Sequence, residues 1–189
     1  MNKIYIFLAP GFEDIEMLGA VDVLRRAALP VQTVSMTDSL MVMSSHYVNI
    51  EADILFEDVN PDHASLLYLP GGMPGAANLQ AHERLAKLIR QHFEAGRPLA
   101  AICAAPMVYG QMGLLDGLRA TCYPGFEEKL KGAEATGELV VRDGQFFLGK
   151  GPAAVLALAY AIVEHFCGAA KAAEIRNAML YPDAIEAGI

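Results

Sequence analysis

The chain of 189 residues is poor in charge. Lys, Arg, Asp and Glu make up 19% of it, and 22 acidic against 14 basic residues leave a formal net charge of −8. The basic residues form no run, so nothing here attracts a phosphate backbone, and nucleic acid is not an expected partner. Long apolar runs are also missing. The longest, Ala153 to Val163, is shorter than the roughly 20 residues that cross a bilayer; it reads as a buried helix, and no membrane partner is expected. Ile4 to Ala9, just after the start, is too short for the apolar core of a signal peptide. Cysteine is scarce: Cys103, Cys122 and Cys167 are an odd number without C-x-x-C spacing, so no metal is expected. Their thiols are expected to stay reduced and the protein to be cytoplasmic.

What the chain does have is apolar mass. Hydrophobic residues are 54% of the sequence and mean hydropathy is positive, which excludes a disordered chain and fits one domain over residues 1–189. Lys3 to Leu8 reads as a strand buried on both faces. Met17, Val21 and Leu24 recur at helical spacing between Glu13 and Ala28. Val31 to Met36 is a second strand, which suggests a β-α-β crossover and a parallel sheet. Leu40 to Ile54 is expected to be a hairpin at the sheet edge. Leu66 to Leu69 is a strand ending at Pro70-Gly71-Gly72. A helix with Leu85, Leu88, Ile89 and Phe93 on one face follows, stopped by Gly96. Leu99 to Ile102 and Arg119 to Tyr123 are further strands. Leu139 to Leu148 is a hairpin turning at Asp143-Gly144, a dipeptide suited to a type I′ turn. Ala153 to Phe166 and Ala169 to Ala178 close the chain as helices. The order predicts a flavodoxin-like α/β fold: a doubly wound, mostly parallel sheet with helices on both faces and an edge hairpin.

In such sheets the working site lies beyond the carboxyl ends of the strands. Three loops occupy such places. Cys103 stands at a strand end, flanked by Ala101, Ala104 and Ala105, an A-x-C-x-A counterpart of the G-x-S-x-G nucleophile elbow, where small residues are needed because strand and helix meet abruptly. A helix starting just after the sulfur would favour thiolate. Most free cysteines in such domains are simply buried, so the flanks alone do not decide. Pro70 to Gly75 can aim backbone N–H groups at one spot, yet lacks the lysine of a phosphate-binding loop. The first loop offers Glu13, Asp14 and Glu16. Acids there commonly serve the helix dipole, but one buried beside a thiol would hold a proton; spacing does not say which. Of the five histidines, His82 and His92 fall on the solvated side or ends of one helix, His165 near the end of another, and His63 in an Asn-Pro-Asp-His turn. Only His46 lies where it could reach a site, so a Cys-His pair is not evident.

With these loops in hand, the sequence resembles the ThiJ/PfpI superfamily (class I glutamine amidotransferase-like), in the branch of the parkinsonism-associated protein deglycase and its bacterial relatives. The likeness rests on Ala9-Pro10-Gly11-Phe12-Glu13-Asp14-Ile15-Glu16, Asp22-Val23-Leu24-Arg25-Arg26, Leu69-Pro70-Gly71-Gly72, Ala101-Ile102-Cys103-Ala104-Ala105-Pro106 and Lys150-Gly151-Pro152, in order along nearly the whole chain. The resemblance implies Glu16 as the protonated partner of Cys103. It also implies backbone donors from the Gly71-Gly72 loop and Ala104, a pocket with Pro152, no cofactor, and a homodimer built near the first helix and edge hairpin. Tyr123 stands where the human relative has a histidine, and His46 replaces an arginine frequent in the edge hairpin.

The expected function is a stress response to reactive carbonyls, of glyoxalase III or protein deglycase type. Small carbonyl compounds or glycated protein would be the partners of a Cys103 nucleophile and a Glu16 acid-base. The alternative is a redox sensor or chaperone without turnover, in which Cys103 oxidises to sulfinate. Peptidase and amidotransferase activities want a Cys-His pair, and thiazole phosphate synthesis wants a phosphate loop; each is a weaker reading.

Overall fold

Residues 4–8 are all buried, as a strand covered on both faces must be, and they occupy the middle of the sheet. The structure is a computed structural model that describes residues 2–188. In chain order its elements are β1 (Lys3–Leu8), α1 (Asp14–Arg26), β2 (Val31–Ser35), β3 (Met41–Met43), β4 (Asn49–Glu51), β5 (Ile54–Leu55) and β6 (Ala64–Leu69). Then come α2 (Gly75–Ala81), α3 (Glu83–Glu94), β7 (Leu99–Ile102), α4 (Pro106–Gln111), β8 (Arg119–Ala120), β9 (Glu134–Ala135), β10 (Val140–Asp143) and β11 (Phe146–Gly149). The last three are α5 (Val155–Cys167), α6 (Ala169–Ala178) and α7 (Tyr181–Glu186).

Seven strands form the central sheet in the order β10-β11-β7-β6-β1-β2-β5. All neighbours run parallel except β10, which returns antiparallel beside β11. The chain winds from β1 outward through β2 to β5, then starts again at β6 on the other side of β1. That reversal is a topological switch point, and the carboxyl ends of β1 and β6 meet there. Helices surround the sheet in two groups: α1 packs on α5 and α5 on α6, while α2 packs on α3 and α4. This is the α/β, mostly parallel architecture that the element order predicts. No helix among the described residues is long and apolar enough to cross a membrane.

Several local expectations need correction. The hairpin between Leu40 and Ile54 forms, but β3 and β4 pair only with each other. Backbone bonds dock it on the first loop instead, from Gly11 N to Met43 O (2.9 Å) and from Ser45 N to Phe12 O (2.8 Å); only β5 joins the sheet edge. The strand expected over Arg119–Tyr123 ends at Ala120, where it pairs with β9 outside the main sheet. In the β10–β11 hairpin Asp143 pairs with Phe146, so the turn is Gly144-Gln145. Of these two only Gly144 has positive φ, 52°, the mark of type II′ rather than I′. The Asp143 carboxylate is used elsewhere, accepting from Arg119 N at 2.9 Å.

His92 is the clearest correction. It is not on the solvated side: only 2% of it is exposed, because it falls seven residues after Leu85 on the same buried face as Leu88 and Ile89. Its Nε2 donates to Pro98 O at 3.0 Å. Burial first of all, with Arg97 nearby, pushes its pKa down to about 4, against the hydrogen bond to Pro98. Folding therefore favours the neutral ring, and that stability is present above the unfolded value near 6.5 and lost as pH falls toward 4. In urea unfolding between pH 7 and 4, His92→Gln should flatten the loss of stability by about one proton, or ~1.4 kcal/mol per pH unit. Parallel losses in both proteins would show that His92 carries none of it.

Candidate active site

The turn out of β7 is strained. Cys103 has φ of 63°, a left-handed conformation costing a side-chain-bearing residue roughly 1–3 kcal/mol. Three backbone bonds hold it there: Cys103 N to Gly149 O (2.9 Å), Tyr123 N to Cys103 O (2.8 Å) and Ala105 N to Ile102 O (3.0 Å). Ala101, Ala104 and Ala105 are buried, as an elbow demands. The helix that follows, α4, has only six residues and carries Pro106 at its start, so individual amides rather than a long macrodipole act on the sulfur. Cys103 itself is 8% exposed.

The second wall comes from α1. Glu13 caps it, its Oε2 accepting from Glu16 N at 2.8 Å. The Tyr68 hydroxyl, from β6, donates to the Glu16 carbonyl at 3.0 Å. These two contacts aim Glu16 inward, where it is 0% exposed. Its Oε2 accepts from Gly71 N at 2.8 Å. The remaining oxygen, Oε1, is buried without a full hydrogen bond, and the carboxyl interacts with the Cys103 thiol through a loose side-chain hydrogen bond.

The third wall is the glycine loop after β6. A Cβ on Gly71 would stand 2.6 Å from Cys103 Cβ, 2.7 Å from Glu16 Oε2 and 2.9 Å from Ile102 O. No other residue fits between the thiol and the carboxyl group. Gly72 has φ of 83° and would clash with Glu13 N and Gly11 O, both at 2.6 Å. The backbone amides of Gly72 and Ala104 donate toward the Cys103 sulfur.

Electrostatics make the two acids one system. Burial raises Glu16 to about 7, against the lowering effect of the Cys103 and Gly71 hydrogen bonds. Burial also pushes the Cys103 thiol up, to about 12, helped by the negative charge of Glu16 and opposed by the Gly72 and Ala104 amides. The low thiol value expected from the elbow alone is therefore not what this environment gives. Across the range between these values the pair holds one proton and one negative charge. Gly71 N favours the charge on Glu16; Gly72 N and Ala104 N favour it on sulfur.

The other residues singled out in the sequence lie around this centre. Tyr123 and Pro152 line one groove of about 220 Å³ together with Pro124, Leu139, Lys150 and Ala153. His46 is not bonded to Cys103 or Glu16: its ring pairs with Asp14 Oδ2 at 2.7 Å and its side chain is 68% exposed. That pairing raises the His46 pKa. Asp14 stays below its ordinary value because hydrogen bonds from Ser44 and His46 outweigh its burial. Donor atoms of Glu13, Asp14 and His46 lie within 4.8 Å of one another, but the His46 ring is engaged by Asp14 and Glu13 Oε2 by the Glu16 amide. Sequence reasoning missed Glu13 as cap and Tyr68 as brace. The Glu13-to-Glu16 spacing, cap to third helical residue, is the signal that could have found the first.

The family model described as the DJ-1/PfpI family matches residues 2–165. The chain belongs to the DJ-1/PfpI family. It is 35% identical over 181 residues to protein DJ-1 homolog B of Arabidopsis thaliana, covering 95% of this chain but 41% of that protein. The chain thus spans less than half the length of that curated relative. It is 29% identical over 152 residues to a protein of Pyrococcus abyssi named deglycase, covering 79% of this chain and 90% of that one. Among solved structures, a DJ-1 superfamily protein of Salmonella typhimurium, in its C103A mutant form, superposes with a TM-score of 0.90 at 30% identity, covering 95% of this chain and 98% of the other.

A shared proton has a measurable signature. With Cys122 and Cys167 replaced by serine, the iodoacetamide rate at Cys103 should rise through about pH 7, where the pair loses its first proton, and then level off. Glu16→Gln should abolish that step and move the rise to higher pH. A wild-type rate that stays at its floor until above pH 9 would place the charge on Glu16 alone.

Proposed function

We propose that this DJ-1/PfpI protein acts in a stress response to reactive carbonyls, using Cys103 as nucleophile and Glu16 as acid and base, with no cofactor. What supports this most directly is the buried Glu16–Cys103 pair, with two backbone amides on the sulfur. The names of the Pyrococcus relatives agree with it. The thiolate adds to the aldehyde carbon of a 2-oxoaldehyde, forming a C–S bond, while Glu16 delivers its proton to the new alkoxide. Gly72 N and Ala104 N stabilise that oxyanion on the way, as preorganised donors do. Glu16, now a carboxylate, removes the proton from the former aldehyde carbon and returns it to the neighbouring carbon, while the hydroxyl proton of the enediol passes from the first oxygen to the second. The first carbon is thereby oxidised to a thioester and the second reduced to an alcohol. Water hydrolyses the thioester, releasing a 2-hydroxy acid and the thiol. The redox change is internal, so no outside oxidant enters the balance. Glycated protein, as a carbonyl adduct, is the corresponding larger substrate.

A positioned acid-base group is worth about 10²–10⁴-fold. With methylglyoxal, Cys103→Ser should therefore be inactive and Glu16→Gln should lose at least 10²-fold in kcat, measured as 2-hydroxy acid formed. Wild-type turnover no higher than that of Cys103→Ser would overturn the enzymatic reading and leave oxidation of Cys103 as the role of the site.

We also infer a homodimer. Ile15 and Leu18 on α1, with Met41, Met43, Tyr47 and Val48 on the β3–β4 hairpin, are all exposed large apolar residues, Tyr47 at 82%. The hairpin and the α1 loop are hydrogen-bonded to each other, so these side chains belong to one region, and such a concentration marks an interaction surface. Sedimentation should find a dimer in the wild type and a monomer after Leu18→Asp with Tyr47→Asp. A wild-type monomer at tens of micromolar would overturn it.

A further inference from the structure

The groove beside the elbow has walls of one chemical kind. Its side chains are Tyr123, Pro124, Leu139, Pro152 and Ala153, with Lys150 the one charged member. Lys150 Nζ is engaged, donating to Gly137 O at 2.9 Å. Three segments build the groove, 123–124, Leu139 and 150–154; Leu139 O accepts from Lys150 N at 2.9 Å, and the other two are clamped at the backbone of Cys103. Tyr123 N donates to Cys103 O, and Cys103 N donates to Gly149 O, just before the Lys150-Gly151-Pro152 turn. The segments touch each other as well: a Cβ on Gly151 would lie 3.3 Å from the Tyr123 ring. Tyr123 and Leu139 keep 47% and 50% of their surface exposed, apolar area left open on segments tied to the backbone around Cys103. At about 220 Å³ the groove is larger than a methyl group needs and suits a phenyl ring or a branched alkyl chain.

We propose that this groove is the subsite for the substituent of the substrate, and that it selects 2-oxoaldehydes with a bulky apolar group, aryl or branched alkyl, over glyoxal and methylglyoxal. The selection is set by Tyr123, Leu139 and Ala153. A charged or strongly hydrated substituent is disfavoured, because it would lose water without gaining a partner there. The inference rests on the carbonyl reading of the Cys103 site, so its test includes an arm that needs no turnover.

In the turnover arm, kcat/KM for phenylglyoxal should exceed that for methylglyoxal about tenfold, since each apolar group buried in such a pocket is worth about tenfold or more. Leu139→Asp should remove most of that preference, lowering kcat/KM for phenylglyoxal about tenfold more than for methylglyoxal. The second arm labels Cys103 with N-phenylmaleimide and N-ethylmaleimide in protein whose Cys122 and Cys167 are serine, each rate divided by that of a small free thiol. The phenyl reagent should be favoured several-fold, and Ala153→Phe, which fills the groove, should abolish the advantage by slowing the phenyl reagent several-fold more than the ethyl one. A labelling preference without any turnover would support the subsite and sink the carbonyl reading. Turnover without substituent preference, or equal labelling by both reagents, would overturn the subsite. Circular dichroism of both variants separates these results from misfolding.

Discussion

The structure depends on a close approach that only a residue without a side chain allows. The carboxyl ends of β6 and β7 and the start of α1 converge so tightly that a Cβ at Gly71 would overlap Cys103 on one side and the Glu16 carboxylate on the other. The approach is a consequence of the winding. β1 and β6 lie on either side of the point where strand order reverses, and β7 follows β6, so their three outgoing loops have only one place to meet. Because the loops meet there, Glu16 is buried. Because it is buried, its proton is hard to remove, and a thiol that elsewhere would ionise alone must share it. Geometry, burial and proton chemistry are successive links of one chain.

Much of this was legible in the sequence, for identifiable reasons. Strands buried on both faces read as continuous apolar runs, and β1, β6 and β7 were visible as such. Small residues around a cysteine at a strand end pointed to the elbow, and the positive φ of Cys103 is the conformation that pattern serves. The choice of Glu16 among three acids was not legible from spacing. It depends on Glu13 taking the cap and Tyr68 bracing the first turn, and the Tyr68 contact crosses 52 residues of chain. The β3–β4 hairpin was misplaced for a similar reason, since its docking on the first loop is made by backbone bonds that leave no mark in side-chain patterning. His92 was misplaced on different grounds: residue type suggested solvent, while its position on the stripe of Leu85 and Leu88 dictated burial, and packing overrode polarity.

The histidines sharpen the chemistry that remains. His82 caps α3 through Nδ1 on Leu85 N, His92 is committed to Pro98, His46 to Asp14, and His165 lies against Arg142 and Phe147. His63 sits in a short 3₁₀ turn. None is bonded to Cys103, and Tyr123 occupies the one position beside the elbow where a histidine would have been looked for. A Cys-His pair that has moved one proton is neutral overall, with thiolate and imidazolium side by side. A Cys-Glu pair with one proton is negative overall. That sign constrains what can enter: an anionic substrate would be repelled in a buried site where the charge is weakly screened, whereas the neutral carbonyl of the proposed reaction would not be, and would withdraw the charge from sulfur on reacting. In the proposed reaction Glu16 takes up the charge that the new bond removes from sulfur, so proton and electron pair both pass to the substrate and the pocket keeps the same net charge. For a site that has already met the cost of burying one charge, holding that number constant is the least expensive route through the reaction, and it favours uncharged electrophiles.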